Sequence, residues 1–296
     1  MTHAATTQHP RAPRVVGFGD NVVDRFIDRG LLYPGGNSVN FAVFARQLGA
    51  DASYLGVLAD DEASAHIQWA LARLGVPTHR SQIRHGETGW CDVRIVDDDR
   101  VFGDWSAGVT AEHEFELGDS DLDYLGGFDL IHSGAYANVE RLLPRLRTTD
   151  ALLVFDLSDE PEQRADDYLD RVVPHADLAI ASVADLDWDD AEGYARDLVA
   201  RGAGMGLVTR GLDGSGLYDG SQFHRADAVR VDALDTMGCG DAFITSLTLT
   251  LLGTGWTRNH RPTAAEIQHS LQTAAQFAAT QCAVEAAFGH SKEYLQ

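Results

Sequence analysis

The stretch Asp235-Thr236-Met237-Gly238-Cys239-Gly240-Asp241 decides how this chain is interpreted. A strand-like run, 228–234, precedes it, and apolar residues at helical spacing follow it. The two glycines are therefore expected at a loop-to-helix junction, where free backbone N–H groups and the positive end of the helix dipole point outward. Glycines at such a junction let a phosphate approach the backbone closely, so the stretch predicts an anion site.

The carboxylate of Asp241 directly follows this predicted anion site. It would repel an anion bound at the glycines, but it is well placed to take a proton from a hydroxyl that attacks phosphorus. The alternative is that Asp241 only complements the dipole of a helix that begins here. The rest of the chain is needed to decide between the two.

Composition limits the classes of protein that fit. A chain of 296 residues with 44% hydrophobic residues is typical of a single α/β domain. No apolar run reaches the roughly 18 residues of a membrane span, and residues 1–13 predict a loose tail without a signal-peptide core. The formal charge of −22 argues against a nucleic-acid partner.

The cysteine and lysine content narrows these classes further. Three cysteines without metal-ligand spacing predict reduced thiols in a cytoplasmic protein (Cys91, Cys239, Cys282). The only lysine, Lys292, has no Gly-Lys-Ser/Thr context, which excludes a P-loop kinase.

A short apolar strand is predicted from Arg14 to Gly19, with Asp20 at its carboxyl end. Open α/β sheets place ligand contacts there, and a carboxylate suits sugar hydroxyls. Gly17-x-Gly19 also fits the start of a dinucleotide-binding motif, but Val22 stands where the third glycine should be.

A second glycine pair, Gly35-Gly36, opens a predicted helix in which Asn37 or Ser38 is the expected cap. Asn37 and Asn40 share a helix face, and asparagine both donates to and accepts from hydroxyls. A polyol site and a plain turn with its cap remain equal alternatives for this segment.

The remaining pattern predicts a mostly parallel sheet with a small β lid. Short apolar runs alternate with helical segments, which indicates right-handed crossovers. The predicted lid combines 22–32 with a hairpin, Cys91 to Val96 and Arg100 to Trp105, turning at Asp97-Asp98-Asp99. The predicted strands of the main sheet are 52–57, 128–133, 152–157, 178–182 and 206–210, and the predicted helices are 62–74, 139–146, 162–173, 191–201 and 264–279.

With these pieces placed, residues 14 to about 290 resemble the ribokinase-like (PfkB-type) carbohydrate kinases. The resemblance rests on Gly19-Asp20, on Gly35-Gly36 with Asn40, and on 235–241, in this order. It implies a three-layer α/β/α sandwich with a β lid over the sugar. It also implies that the glycines form the anion hole and that Asp241 is the catalytic base. Members usually carry alanine at the position of Cys239, where a small thiol should be tolerated.

The resemblance also implies the nucleotide side of the site. The strand-end segment with Thr209, Gly211 and Gly214 matches the lining of the ATP site in relatives, and Thr236 is expected beside it. Many members carry Asn-x-x-Glu next to the magnesium-phosphate network, whereas this chain has Ser182-x-x-Asp185. Asp185 is the expected contact for a Mg²⁺-bound water, and a monovalent cation such as K⁺ is a further expectation.

Within the family the chain is similar to fructoselysine (fructosamine) kinases. This likeness rests on residues 19–24, 33–40, 99–102 and 235–238, and on Ala287-Phe288-Gly289. It implies transfer of the ATP γ-phosphate to the 6-hydroxyl of an amino-acid-linked ketose.

The predicted organisation is an N-terminal tail (1–13), a kinase domain (14–290) with the lid from about 21–33 and 88–106, and a C-terminal tail (291–296). The predicted mechanism uses backbone N–H groups of Gly238, Cys239 and Gly240 for the transferred phosphoryl, and Asp241 for the proton. Relatives often dimerise through the lid, so a homodimer is expected. The predicted sugar contacts are Asp20, Gly35, Gly36, Asn37, Asn40 and, on the lid, Arg100, whose alternative is a surface residue beside a turn.

Three other functions stay open from the sequence. A kinase for another sugar or a nucleoside would keep Asp241 and change only the sugar contacts. A non-catalytic sugar or nucleotide sensor could use the same fold. A dinucleotide-dependent dehydrogenase fits the residues least.

Overall fold

The computed structural model describes residues 11–96 and 99–294, without the side chains of 95–100. Within these ranges the strands are β1 Arg14–Gly19, β2 Val22–Phe26, β3 Leu31–Gly35, β4 Asp51–Ala59, β5 Gln82–Arg84, β6 Thr88–Val96, β7 Asp99–Gly108, β8 Leu130–Gly134, β9 Leu152–Asp156, β10 Leu178–Ser182, β11 Met205–Thr209, β12 Ser215–Tyr218, β13 Phe223–Ala226 and β14 Lys292–Glu293. The α-helices are α1 Asn37–Gln47, α2 Glu62–Arg73, α3 Val109–Glu112, α4 Asp119–Gly126, α5 Leu143–Leu146, α6 Asp166–Val172, α7 Trp188–Ala200, α8 Cys239–Gly253 and α9 Ala264–Gln281.

The central sheet has the order β13-β12-β11-β10-β9-β8-β1-β4-β5 over the described residues. Neighbours from β11 to β5 run parallel, whereas β12 and β13 form an antiparallel edge. Parallel strands need crossover connections, which explains the helices on both faces. The predicted mostly parallel sheet is confirmed.

The sheet separates two apolar layers because successive strand side chains point to opposite faces. Val15 on β1 packs with α1, α8 and α9, whereas its neighbour Val16 packs with the helices of the other face. The fold is therefore a three-layer α/β/α sandwich. No α-helix in the described part of the chain combines the length and apolarity needed to span a bilayer.

A smaller sheet, called the lid sheet below, has the order β14-β3-β2-β6-β7 among the described strands. It joins the predicted hairpin of β6 and β7 to the β2–β3 hairpin, with β2 and β6 parallel. Lys292 and Glu293, expected in a C-terminal tail, instead pair with β3 and form one edge. The predicted turn residues Asp97 and Asp98 lie outside the described residues.

The segment before the glycine motif is a loop, so the strand predicted over 228–234 is wrong. The antiparallel hairpin ends at Ala226, and no strand is assigned from there to α8 in this described segment. The alternating residues Val229 and Val231 are 36% and 48% exposed, so no sheet partner buries them. Instead, the backbone N–H of Leu234 donates to the carbonyl of Cys282 over 2.8 Å.

The helix predicted over 139–146 is also shorter than expected. It is reduced to α5, Leu143–Leu146, with a proline in its first turn. Proline disfavours helical geometry in the residue before it and lacks the N–H needed in a helix interior, so the helix starts late.

Candidate active site

The glycine motif lies where the loop after β13 meets the first turn of α8. Gly238 caps the helix with φ of +72°. A Cβ at this position would lie 2.7 Å from Cβ of Ala287, so both backbone geometry and space require glycine. The expected loop-to-helix junction is confirmed.

Gly240 differs from Gly238 in what restricts it. It lies inside the first turn of α8, and a Cβ there would meet no atom within 4 Å. The folded chain alone thus does not require glycine at 240. Any such requirement must come from a ligand that occupies the open space.

The first-turn amides of α8 are available to an acceptor, with one exception. The N–H of Cys239 donates to the carbonyl of Thr236 over 3.2 Å. The N–H groups of Gly238, Gly240 and Asp241 have no acceptor among the described residues. Of the three amides predicted to contact the phosphoryl, those of Gly238 and Gly240 are free to do so.

Two cavities meet at this motif. One, called the lid cavity, has a volume of about 500 Å³ and lies between the lid sheet and the central sheet. The other, called the α8–α9 cavity, has a volume of about 440 Å³ and lies beside the ends of β10 and β11. Gly238 and Asp241 line the first, Cys239 and Gly240 line the second, and Thr236 lines both.

Asp241 is held at this boundary by Asn40 of α1. The amide nitrogen Nδ2 of Asn40 donates to Oδ2 of Asp241 over 2.7 Å. Burial raises the pKa of Asp241 well above its ordinary value, the hydrogen bond from Asn40 opposes the rise, and the charges of Asp156 and Asp20 add to it. A carboxylate with a raised pKa is a better proton acceptor at neutral pH.

Asp20 is buried at the end of β1 and caps α1. Its carboxylate accepts hydrogen bonds from the backbone N–H groups of Asn37 and Ser38, over 2.7 and 3.1 Å, and from Oγ of Ser38 over 2.8 Å. The expectation that Asn37 or Ser38 caps the helix is wrong, because a carboxylate from a neighbouring strand satisfies these N–H groups. Gly36 is the N-cap residue, with φ of +107°.

Three buried side-chain oxygen atoms of residues that line the lid cavity have no hydrogen-bond partner in the described structure. They are Oδ1 of Asn21, Oδ1 of Asn40 and Oγ1 of Thr110, in residues that are 1%, 5% and 3% exposed. Leaving such groups unpaired is costly, so they are suited to pairing with water or with the hydroxyl groups of a ligand. Asn21 and Thr110 were not predicted, since neither belongs to a glycine motif.

Asp156 is a third residue that the sequence analysis did not predict. It ends β9 and lies 3.4 Å from the side-chain amide of Asn37. Burial raises its pKa to about 6. The available signal was a carboxylate closing the apolar run Leu152 to Phe155, a position where open sheets carry ligand contacts.

The other predicted sugar contacts lie in different surroundings. Asn37 and Gly36 line the lid cavity together with Asp20. Gly35 does not line it; a Cβ there would lie 2.7 Å from Oδ2 of Asp24. The backbone of Arg100 pairs with that of Ile95 in the lid sheet, but its side chain lies outside the described residues.

The predicted nucleotide residues share the α8–α9 cavity. Thr209, Gly211 and Gly214 line it, and Oγ1 of Thr209 lies 3.1 Å from Oγ of Ser182. Helices α8 and α9 supply an apolar wall that includes Phe243, and the thiols of Cys239 and Cys282 lie 2.8 Å apart beside it. An apolar slot with glycines at one end fits a planar base with phosphates directed toward α8.

Asp185, the predicted metal contact, lies in neither cavity lining. Its two carboxylate oxygens accept hydrogen bonds from the guanidinium of Arg164, over 2.8 and 2.9 Å. No group of three or more acidic, histidine or cysteine side chains in the described structure could hold a metal ion. Asp185 is thus paired with Arg164 outside both cavities, and its contact with a Mg²⁺-bound water stays a prediction.

A three-layer sandwich with a β lid, and a carboxylate beside a glycine-rich helix start where two cavities adjoin, is an arrangement suited to a sugar kinase. The pfkB family carbohydrate kinase model matches residues 20–288, so the chain belongs to this family. It is an ATP-dependent carbohydrate kinase.

Curated relatives cover most of the chain. Fructosamine kinase FrlD of Bacillus subtilis (strain 168) is 33% identical over 283 residues, or 95% of both chains. Fructoselysine 6-kinase of Escherichia coli (strain K12) is 36% identical over 226 residues, or 76% of this chain and 84% of the relative.

Solved structures share the fold at lower identity. Ribokinase of Arabidopsis thaliana complexed with ribose and ATP has a TM-score of 0.75 and 15% identity, and covers 93% of this chain and 94% of its own. Fructokinase of Xylella fastidiosa with bound ATP has a TM-score of 0.74 and 20% identity, with 94% of both chains covered. The predicted ribokinase-like fold is thus confirmed.

Proposed function

We propose that this chain transfers the γ-phosphate of ATP to the 6-hydroxyl of fructoselysine or a related fructosamine, with Asp241 as the base. The observation that carries this proposal is the position of Asp241, held by Asn40 where the two cavities meet. The names of the two curated relatives support the substrate class.

The sugar is assigned to the lid cavity. Asn40 and Thr110 offer unpaired oxygen atoms there, and Asn37 adds a side-chain amide. An amide oxygen can accept from a sugar hydroxyl, whereas the threonine hydroxyl can donate or accept. Asp20 acts on the sugar side chiefly by fixing the first turn of α1, which carries both asparagines.

ATP is assigned to the α8–α9 cavity, with Thr209, Gly211, Gly214 and Thr236 along it. Its γ-phosphate would then face the free amides at the start of α8. The space beside Gly240 leaves room for this approach. Because Thr236 lines both cavities, the phosphoryl group crosses the boundary without a large movement.

In the transfer step, the 6-hydroxyl gives its proton to Oδ of Asp241 as its oxygen attacks the γ-phosphorus. The new P–O bond replaces the bond to the bridging oxygen of ADP, which leaves with that electron pair. The amides of Gly238 and Gly240 stabilise negative charge on the transferred phosphoryl. The lid sheet covers the sugar and limits access of water.

Mg²⁺ and K⁺ belong to this proposal through the family resemblance alone, and no step above depends on them. Mg²⁺ is commonly held by substrate phosphates with one or two carboxylates, so a cage of protein ligands is not required. A homodimer through the lid sheet and a cytoplasmic location are part of the same proposal.

An ATP-consumption screen over fructosamines, ketoses, pentoses and nucleosides tests this function. We expect the highest kcat/KM for fructoselysine, with the phosphate on the 6-hydroxyl when the product is analysed by NMR. A plain sugar or a nucleoside that is better by about tenfold would replace the proposed substrate. ATP and sugar binding without turnover under any condition would identify a sensor.

A further inference from the structure

The lid cavity changes in character from its floor to its entrance. Its floor includes Asn40 and Asp241, whereas its entrance is lined by exposed aromatic and acidic residues. Phe102 and Trp105 on β7 are 62% and 61% exposed, and both residues line the cavity. The entrance residues, called the cavity mouth below, are Phe102, Trp105, Tyr136, Asp159 and Glu160.

Contacts join the two sides of the cavity mouth. The ring of Trp105 meets that of Tyr136 edge to face, with centroids 6.1 Å apart. The hydroxyl of Tyr136 donates to Oε1 of Glu160 over 3.4 Å. Oγ of Ser158 lies 3.0 Å from Oη of Tyr136 and 3.1 Å from Oδ1 of Asp159, so the acids and the tyrosine form one connected group.

The described lining of this cavity contains acidic residues but no lysine or arginine. The nearby guanidinium of Arg164 binds Asp185 and the carbonyl of Ser182 instead. Two exposed carboxylates beside aromatic rings form a suitable environment for an ammonium group on an alkyl chain. The unpaired oxygen atoms of Asn21, Asn40 and Thr110 are independently suited to pairing with the hydroxyl groups of a ligand in the same cavity.

We propose that the cavity mouth recognises the secondary ammonium that joins the ketose to the amino acid, and so selects fructosamines over plain ketoses. Asp159 and Glu160 pair with this charge, while Phe102 and Trp105 cover the alkyl chain that leaves the sugar. The inference rests on the proposed sugar-kinase function and adds the group that sets its specificity.

Two matched substrate probes separate the effect of the ammonium charge from that of the alkyl chain. They are 1-deoxy-1-(butylamino)fructose, which is protonated at neutral pH, and 1-O-butylfructose, its neutral ether analogue. Both carry the same alkyl length and lack the amino and carboxyl groups of lysine. The ratio of their kcat/KM values therefore reports the contribution of the ammonium.

The variants are Asp159→Asn, Glu160→Gln and their combination, with Glu162→Gln as control. Glu162 is exposed in the same segment but does not line the cavity. We expect the double variant to lower kcat/KM for the amine by about tenfold, mainly through KM, and to leave the ether within about twofold. High salt should reduce the preference of the parent enzyme for the amine, because exposed charges are screened.

Trp105→Ala gives a second test, since it should lower kcat/KM for both alkyl probes by the same factor. An unchanged amine-to-ether ratio in the double variant, or equal losses for both probes, would overturn the role of the mouth. A parent enzyme that uses amine and ether equally well would overturn the inference while leaving the kinase function intact. A parent enzyme inactive on every fructosamine would overturn the proposed substrate and this inference together.

Discussion

Asn40 links the two halves of the site at the scale of single residues. Its Nδ2 donates to Asp241, and its unpaired Oδ1 remains available to a sugar hydroxyl. The sequence predicted that Asn40 contacts the sugar and that Asp241 is the base. It did not predict the direct hydrogen bond between them. The two residues are far apart in the chain and meet only because α1 packs beside α8.

Asn40→Ala should shift the acid limb of kcat/KM to higher pH. The lost hydrogen bond stabilises the charged carboxylate, so its removal raises the pKa of Asp241 further. The base is then protonated, and inactive, over a wider acidic range. The pH dependence of kcat/KM checks this, with Asn37→Ala as control because its amide contacts Asp156. An acid limb that stays in place in Asn40→Ala would separate Asn40 from the base.

Asp156→Asn should raise the melting temperature at pH 7.5. The pKa of Asp156 is about 6 in the folded protein, above its ordinary value of 3.8, so the folded state binds more protons between these values. Stability is therefore lost as pH rises through this window, by at most about 3 kcal/mol for such a shift. The gain on substitution should fade at pH 4, and thermal unfolding at both pH values measures it. Equal effects at the two pH values would rule out the buried charge as the cause.

At the scale of elements, the start of α8 was predictable because two glycines are followed directly by apolar residues at helical spacing. The loop 228–234 was not, because alternation of apolar residues predicts a strand only where a sheet edge is available to pair. Residues 228–234 pair with no strand, and the N–H groups of Leu234 and Asp235 donate to the carbonyl of Cys282 instead. Asp20 shows a similar limit: its position at the end of β1 was predicted, but its capping of α1 depends on packing.

We expect Gly238→Ala to lower stability, whereas Gly240→Val should lower activity without lowering stability. Gly238→Ala places a Cβ at positive φ and against Ala287, so it should cost about 1–3 kcal/mol of stability. Gly240→Val should keep the parent melting temperature, because the space around it is open. It should still lose activity, because the side chain would fill the space assigned to phosphate.

Thermal unfolding and the KM for ATP distinguish the two variants. Gly240→Ala is the smaller matched step and should lie between the parent and Gly240→Val in KM. A folded Gly240→Val with parent activity would show that phosphate does not approach this glycine.

At the scale of the whole molecule, most of the architecture followed from the chain pattern. Alternating apolar strands and helices predicted the parallel sheet, and the 88–106 segment predicted the lid hairpin. The pairing of Lys292 and Glu293 with β3 did not follow, since two polar residues near the end of the chain carry no strand pattern. Asp156 and Thr110 were missed because their roles depend on burial. Asp156 is one of 45 acidic residues, and the sequence does not show which of these are buried.

Asp241 lines the lid cavity directly after Gly240, which lines the α8–α9 cavity. Single-turnover transfer of the γ-phosphate from ATP to fructoselysine, compared between the parent and Asp241→Asn, tests the role of Asp241 as the base most directly. We expect Asp241→Asn to remain folded and to bind ATP and fructoselysine with affinities within a few-fold of the parent. Its transfer rate should fall by at least about 10²-fold, because the hydroxyl loses its proton acceptor. A transfer rate within a few-fold of the parent would show that Asp241 is not the base.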